Sequence, residues 1–207
     1  MNKFRRYVKT SWPERLEEIF QGTTVLRSKD LELRGLNRGQ IQEALNHGMK
    51  RIGRGLYTWT KAQCSEHHSL VQAAKRVPTG VICLLSALRF HDLTSQSPHE
   101  VWMAIGAKAR LPQPGNPTIR TVRFGVEQFD LGLETHEVEH AELRVYSVAR
   151  TVVDLFRYRN KIGIDVALEA LKEGWQERRF SMKEINHIAA SCRMARVMKP
   201  YLESLTS

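Results

Sequence analysis

Arg38, Gln42 and Asn46 follow one another at intervals of four residues. On a helix Gln42 and Asn46 point away from the apolar side, with Arg38 on the flank at the N-terminal turn. An arginine fork matches the guanine edge in a major groove, and the amides of glutamine and asparagine match the adenine edge. Lys50, Arg51 and Arg54 come next, the last between Gly53 and Gly55. Cations on a thin hairpin are suited to phosphates or to a minor groove. DNA recognition is therefore the chemistry these residues could do. The plainer alternatives are a solvated helix face and a charged edge strand guarded against pairing. Tyr57 and Trp59 are expected to pack the hairpin onto the helices rather than touch DNA.

Other groups invite other chemistry. Arg150, Arg157, Arg159 and Lys161 lie on or just after a helix whose apolar positions are Val148, Val152, Leu155 and Phe156. They are expected to form a second basic cluster that extends a DNA surface or docks a partner, if not an ordinary charged exterior. Cys64, His67 and His68 give C-x-x-H, but a closed zinc site needs four ligands and the other cysteines carry no partner motif. No metal and no cofactor is expected; His67 and His68 read as helix-surface or capping residues. His136 and His140 with Glu134, Glu137, Glu139 and Glu142 surround a hairpin turn. A metal-dependent nuclease needs carboxylates converging on one ion, usually beside a lysine, which Glu142-Leu143-Arg144 lacks. No catalytic residue is assigned, and a DNA nuclease targeted by the N-terminal segment is kept as the alternative.

The elements that must carry these side chains read as α+β. Ser11 and Glu14 frame a capping box, Leu16, Ile19 and Phe20 give one apolar face, and Gly22 stops that helix. Val25-Leu26-Arg27 leans to strand. Ser28 is expected to cap a second helix over 29–34, with Leu31 and Leu33 as candidates for burial and Gly35 as terminator. Asn37 caps a third helix, with Gln40 completing its box, ending at Gly48. On that helix Ile41, Ala44 and Leu45 face inward. A hairpin follows, with Ile52 and Leu56 flanking a tip whose two glycines can supply positive φ. Two short helices joined by a glycine turn and followed by a hairpin have the order of a winged helix-turn-helix. This assigns 1–63 to a DNA-binding domain and 64–207 to a larger mixed α+β domain, joined through Thr60-Lys61-Ala62-Gln63. In the second, the pattern predicts helices over 66–77, 81–91, 148–160 and 165–177, one begun by a Ser181–Glu184 capping box with a hydrophobic staple of Phe180 on Ile185, and one near Pro200. Strands are predicted over 101–105 and 119–124, with a hairpin of 135–138 and 143–147 and a proline-bearing loop over 111–117.

Charge supports this division. The chain of 207 residues carries a formal net charge of +10. Residues 1–63 hold 13 Lys and Arg against 6 Asp and Glu, a net of +7, and the rest hold 19 against 16, a net of +3. A compact cationic segment suits a polyanion, because each neutralised phosphate releases condensed counterions. The longest apolar run, Val81 to Leu88 around Ser86, falls far short of the roughly 20 residues a membrane span needs. Charged Met1 to Arg6 leads into no apolar segment, so no signal peptide and no membrane partner is expected. Three scattered cysteines suit a reducing, cytoplasmic setting.

The helix order and the string Gly53-Arg54-Gly55-Leu56-Tyr57 resemble the N-terminal domain of AbiEi-type antitoxin regulators of type IV toxin–antitoxin and abortive-infection (phage-defence) systems. Strings further on are similar too: Ser65-Glu66-His67-His68, Val77 to Leu88, Pro98-His99-Glu100-Val101-Trp102, Val145 to Asp154 and Arg159 to Leu171. The resemblance implies a DNA-binding antitoxin that represses its own operon and counters a nucleotidyltransferase-like toxin encoded beside it. It implies that the third helix and wing contact double-stranded operator DNA, and that the C-terminal domain serves toxin neutralisation. That neutralisation need not involve contact, and direct masking of the toxin is the other form it takes. The family pattern implies arginine-rich outer positions on the third helix, where this chain has Gln42, Glu43 and Asn46. That departure favours base-edge readout over non-specific affinity.

Overall fold

The computed structural model describes residues 11–59, 65–94 and 98–205. It is a mixed α+β structure with two small sheets and several helices. The chain divides into two compact units, Met1–His68 and Ser69–Ser207. Met1 to Arg6, the junction Thr60 to Gln63, Cys64 and the expected boundary after residue 63 lie outside the described residues.

In the first unit, α1 spans Trp12–Ile19. The Ser11 amide donates to Glu14 Oε2 at 2.9 Å, and this bond holds the Glu14 carboxyl below its usual range. Strand β1 is Val25–Arg27 and α2 is Ser28–Leu33. The cap of α2 is Arg27, not Ser28: its amide donates to Asp30 Oδ2 at 2.9 Å. Helix α3 covers Arg38–Ala44 and tightens into a 3-10 turn over Leu45–His47, ending at Gly48 with φ +99°. Asn37 Oδ1 accepts from the Gln40 amide at 2.9 Å and Gln40 Oε1 accepts from the Asn37 amide at 3.0 Å, so the expected box is complete. Strands β2, Met49–Gly53, and β3, Leu56–Trp59, form the hairpin, and the antiparallel sheet runs β1-β3-β2. Leu16, Ile19, Phe20, Leu31, Ile41 and Trp59 are among those that close the core, with Tyr57 packed on its margin. Leu33 departs from expectation at 78% exposure. It stands about 200° around the helix from Leu31, so a six-residue helix on one core buries only one of them.

Helix α4, His68–Arg76, begins on the last residue of the first unit and otherwise lies in the second, followed by β4, Val81–Ile82, and α5, Leu84–Phe90. The single helix expected over 81–91 is thus a strand and then a helix. Val81 and Ile82 are β-branched and occupy the centre of the sheet, where two strands flank them. Gly80 admits this turn, because a Cβ there would lie 2.4 Å from Met103 Sδ. Strands β5, Val101–Gly106, and β6, Ile119–Phe124, are parallel to each other. A four-residue helix, α6, Val126–Phe129, follows, then the hairpin β7, Leu133–Val138, and β8, Ala141–Tyr146. The sheet order is β6-β5-β4-β8-β7. Helix α7, Val148–Arg157, is buried from Val148 to Phe156. Around it stand α8, Arg159–Ile162, α9, Ile164–Gln176, α10, Met182–Ser191, and α11, Ala195–Glu203. Ser181 Oγ caps α10 by accepting from the Glu184 amide at 3.1 Å, without the reciprocal Glu184 bond of a full box, and Phe180 and Ile185 are buried as the staple positions require. The single helix expected over 148–160 is broken at Tyr158.

Within this core His91 lies in contact with Tyr146, its Nε2 2.8 Å from the Tyr146 carbonyl. Burial lowers its pKa. A base held neutral in the folded state stabilises above its unfolded pKa, and that contribution fades as the pH falls through it. Melting midpoints measured from pH 8 to 5 are expected to drop more steeply below about pH 6.5 for the natural protein than for His91→Gln.

Candidate nucleic-acid interface

The outer side of α3 is built by exclusion. Ile41 and Ala44 face the core at 7% and 0% exposure, which turns Arg38, Gln42 and Glu43 outward, and Asn46 follows on the 3-10 turn. The Asn37–Gln40 box fixes where this face begins. Arg38, Gln42 and Asn46 are all exposed.

Lys50, Arg51 and Arg54 are exposed as well, on an edge strand and its turn. Strand alternation sends Lys50 and Arg51 to opposite faces, so they share an edge rather than one surface. Arg51 pairs with Tyr57, and its Nε donates to the Gly53 carbonyl at 3.1 Å. A register shift falls between Arg51 and Gly53, the kind of irregularity that bends a strand near its turn. Only Gly55 of the two tip glycines takes a left-handed φ, at +67°. The tip is anchored as well, since the Ser28 amide donates to the Gly55 carbonyl at 2.9 Å. Arg54 is therefore presented from a pinned turn. Gly55→Ala would bring a Cβ 3.2 Å from Ser28 Oγ in a left-handed residue. We expect it to destabilise the first unit by about 1–2 kcal/mol in urea unfolding, and Gly53→Ala to cost much less.

The second basic cluster expected from the sequence does not form. Arg150 has 0% of its side chain exposed and belongs to the core. Its Nε donates to Asp154 Oδ2 at 2.8 Å, and its Nη1 donates to the Gln128 and Leu131 carbonyls at 2.6 and 3.0 Å. The guanidinium lies 4.9 Å from the Phe124 ring centre and 4.6 Å from that of Tyr146. Burial raises the Asp154 pKa to about 6 against the opposing pull of Arg150. Arg157 is exposed and donates to Gln128 Oε1 at 2.8 Å, and half-buried Arg159 donates to the Phe156 carbonyl at 2.8 Å. Exposed Lys161 lies 5.9 Å from the Tyr158 ring centre. These four do not make one cationic face.

Of the other groups, His68 opens α4, with Nδ1 3.0 Å from Thr24 Oγ1. The β7–β8 hairpin pairs Glu137 with Glu142, and Glu139 and His140 form its turn at φ +50° and +52°. His136 Nε2 lies 3.0 Å from Glu134 Oε2. Among the described residues no three His, Cys, Asp or Glu side chains are grouped to hold a metal ion. No described helix is long and apolar enough to cross a membrane.

Two features lie outside the sites expected from the sequence. Arg150 and Asp154 are four apart in an otherwise apolar helix, a spacing that signals an internal pair. Residues 178–207 hold 6 Lys and Arg against 2 Asp and Glu, so they carry a net of +4 that exceeds the total for residues 64–207.

No family model and no curated protein matches the sequence. Among solved structures, the chain is similar to the crystal structure of the RV2827C protein from Mycobacterium tuberculosis. That similarity has a TM-score of 0.64 at 13% identity and covers 93% of this chain and 78% of the other. At such identity the likeness concerns the fold.

Proposed function

We propose that the first unit is a winged helix-turn-helix, with α2 and α3 as the helix pair and β2–β3 as the wing. It binds double-stranded DNA at the operator of its own promoter. The chain is a cytoplasmic antitoxin that represses its toxin–antitoxin operon and counteracts a nucleotidyltransferase-like toxin. The observation that carries the DNA half is the exposed row Arg38, Gln42 and Asn46 beside an anchored cationic turn. It lies in the segment that holds +7 of the chain's +10. The antitoxin half rests on the resemblance of the quoted strings to AbiEi-type regulators.

A third helix with Gln42 and Asn46 outward suits base edges, whereas Lys50, Arg51 and Arg54 suit the backbone. Gel shifts of the promoter region and of unrelated DNA over a salt series separate these roles. Specific repression requires tighter binding to the promoter, and equal affinity for both would refute it. Gln42→Ala is expected to weaken operator binding by about 1–3 kcal/mol while leaving unrelated DNA unaffected. Rescue of growth on co-expression with a neighbouring nucleotidyltransferase-like gene tests the antitoxin half.

A further inference from the structure

Helix α6 buries none of its four residues, and Val126 is 87% exposed. Yet the most deeply buried cation of the second unit is spent on this segment, through the bonds from Arg150 Nη1 to the Gln128 and Leu131 carbonyls. Arg150 Nη2 and Asp154 Oδ1 find no hydrogen-bond partner among the described residues. An incompletely satisfied buried ion pair stabilises poorly compared with apolar packing. Its effect here is to fix the backbone of a surface helix.

That helix forms one wall of a pocket of about 680 Å³, within the range of small-molecule sites. The opposite walls are the ends of α7 and α10, with Arg157, Cys192 and Arg193. Gln128 ties the walls together: its Nε2 donates to the Ser191 carbonyl at 3.1 Å and its Oε1 accepts from Arg157. The Arg157 guanidinium is further held 5.4 Å from the Phe124 ring centre. Arg193 follows α10 in a left-handed conformation at φ +59°, is exposed, and its side chain makes no ion pair or hydrogen bond among the described residues. Cys192 is 3% exposed, and burial keeps its thiol protonated. Glu127 is the acid of the lining.

We propose that this pocket binds a phosphorylated nucleoside. Two guanidinium forks, one already oriented, receive the phosphoryl oxygens. Glu127 accepts from a sugar hydroxyl, and Val126 offers an apolar surface to the base. The Arg150–Asp154 pair is the positioning device behind α6.

Calorimetric titration of the full chain with AMP, inorganic phosphate and adenosine tests this. AMP is expected to bind, phosphate to bind more weakly at the same arginines, and adenosine not to bind. Arg193→Gly should weaken AMP by about tenfold or more while leaving the melting temperature unchanged or higher, because glycine adopts the left-handed position without strain. The variant with Lys50, Arg51 and Arg54 all changed to Ala should bind AMP like the natural protein, which separates this site from the DNA face. Absence of AMP binding at millimolar concentration, full binding by Arg193→Gly, or adenosine binding as well as AMP would each overturn the proposal. Equal affinity for inorganic phosphate would overturn the nucleoside assignment.

Discussion

Arg150→Ala is expected to destabilise the second unit by about 3–5 kcal/mol at pH 8, a large part of the roughly 5–15 kcal/mol that holds a domain folded. The loss has three sources. Asp154 is left as an uncompensated carboxylate at 0% exposure, the Gln128 and Leu131 carbonyls lose their donor, and the packing of the guanidinium against the Phe124 and Tyr146 rings is lost. The pH dependence separates the first source from the others. Burial already holds Asp154 up at about 6 with Arg150 beside it, and without that cation the pKa rises further. A carboxyl whose folded pKa exceeds its unfolded value stabilises most below the unfolded value, and that contribution is lost as the pH rises through the folded one. The deficit of Arg150→Ala relative to the natural protein should therefore shrink as the pH falls from 8 to 5 in urea unfolding. A deficit of equal size at both ends would locate the loss in packing and carbonyl contacts instead. The double variant Arg150→Met with Asp154→Leu removes both charges and should recover much of the stability without restoring the bonds to α6.

How much of this was legible in the sequence depends on whether a local rule decided the outcome. The Asn37–Gln40 box, the Ser181 cap and the Phe180–Ile185 staple were legible because capping is settled within four residues. The two halves of 81–91 were not, because Val81 and Ile82 are strand through pairing with β5 and β8, partners distant in sequence. Residue type favours Ser28 as the cap, whereas the deciding group is Asp30, whose carboxylate reaches back to the Arg27 amide. The exposed row on α3 follows from helical period because Ile41 and Ala44 face the core. Arg150 escapes a local rule for the complementary reason. Charge type alone assigns an arginine to the surface, and only the aspartate four residues on, within a run of apolar neighbours, signals otherwise. Arg193 and the α6 pocket had no local signal, since their walls come from three separate stretches of chain.

Changing Lys50, Arg51 and Arg54 together to Ala is expected to weaken binding of any duplex on the order of 100-fold near 0.1 M salt and to flatten the plot of log affinity against log salt by about 2.7. Each cation that meets a phosphate releases about 0.9 of a counterion, so the change in slope counts the lost contacts independently of sequence. The orientation of these residues makes the count informative. Lys50 and Arg51 leave opposite faces of an edge strand, and Arg51 Nε is turned back to the Gly53 carbonyl. A slope change near 2.7 would mean that the DNA backbone wraps the edge and engages both faces, whereas a change near 0.9 would leave a single contact, for which Arg54 on its anchored turn is best presented. Because phosphate contacts carry no direct base information, promoter and unrelated DNA should lose affinity by the same factor. That parallel loss is the opposite of the outcome for Gln42→Ala, where the promoter alone suffers. An unchanged slope would remove the hairpin from the interface. Since the outward face of α3 carries one cation, Arg38, against Glu43, it would also leave that face too little charge to hold a duplex unaided.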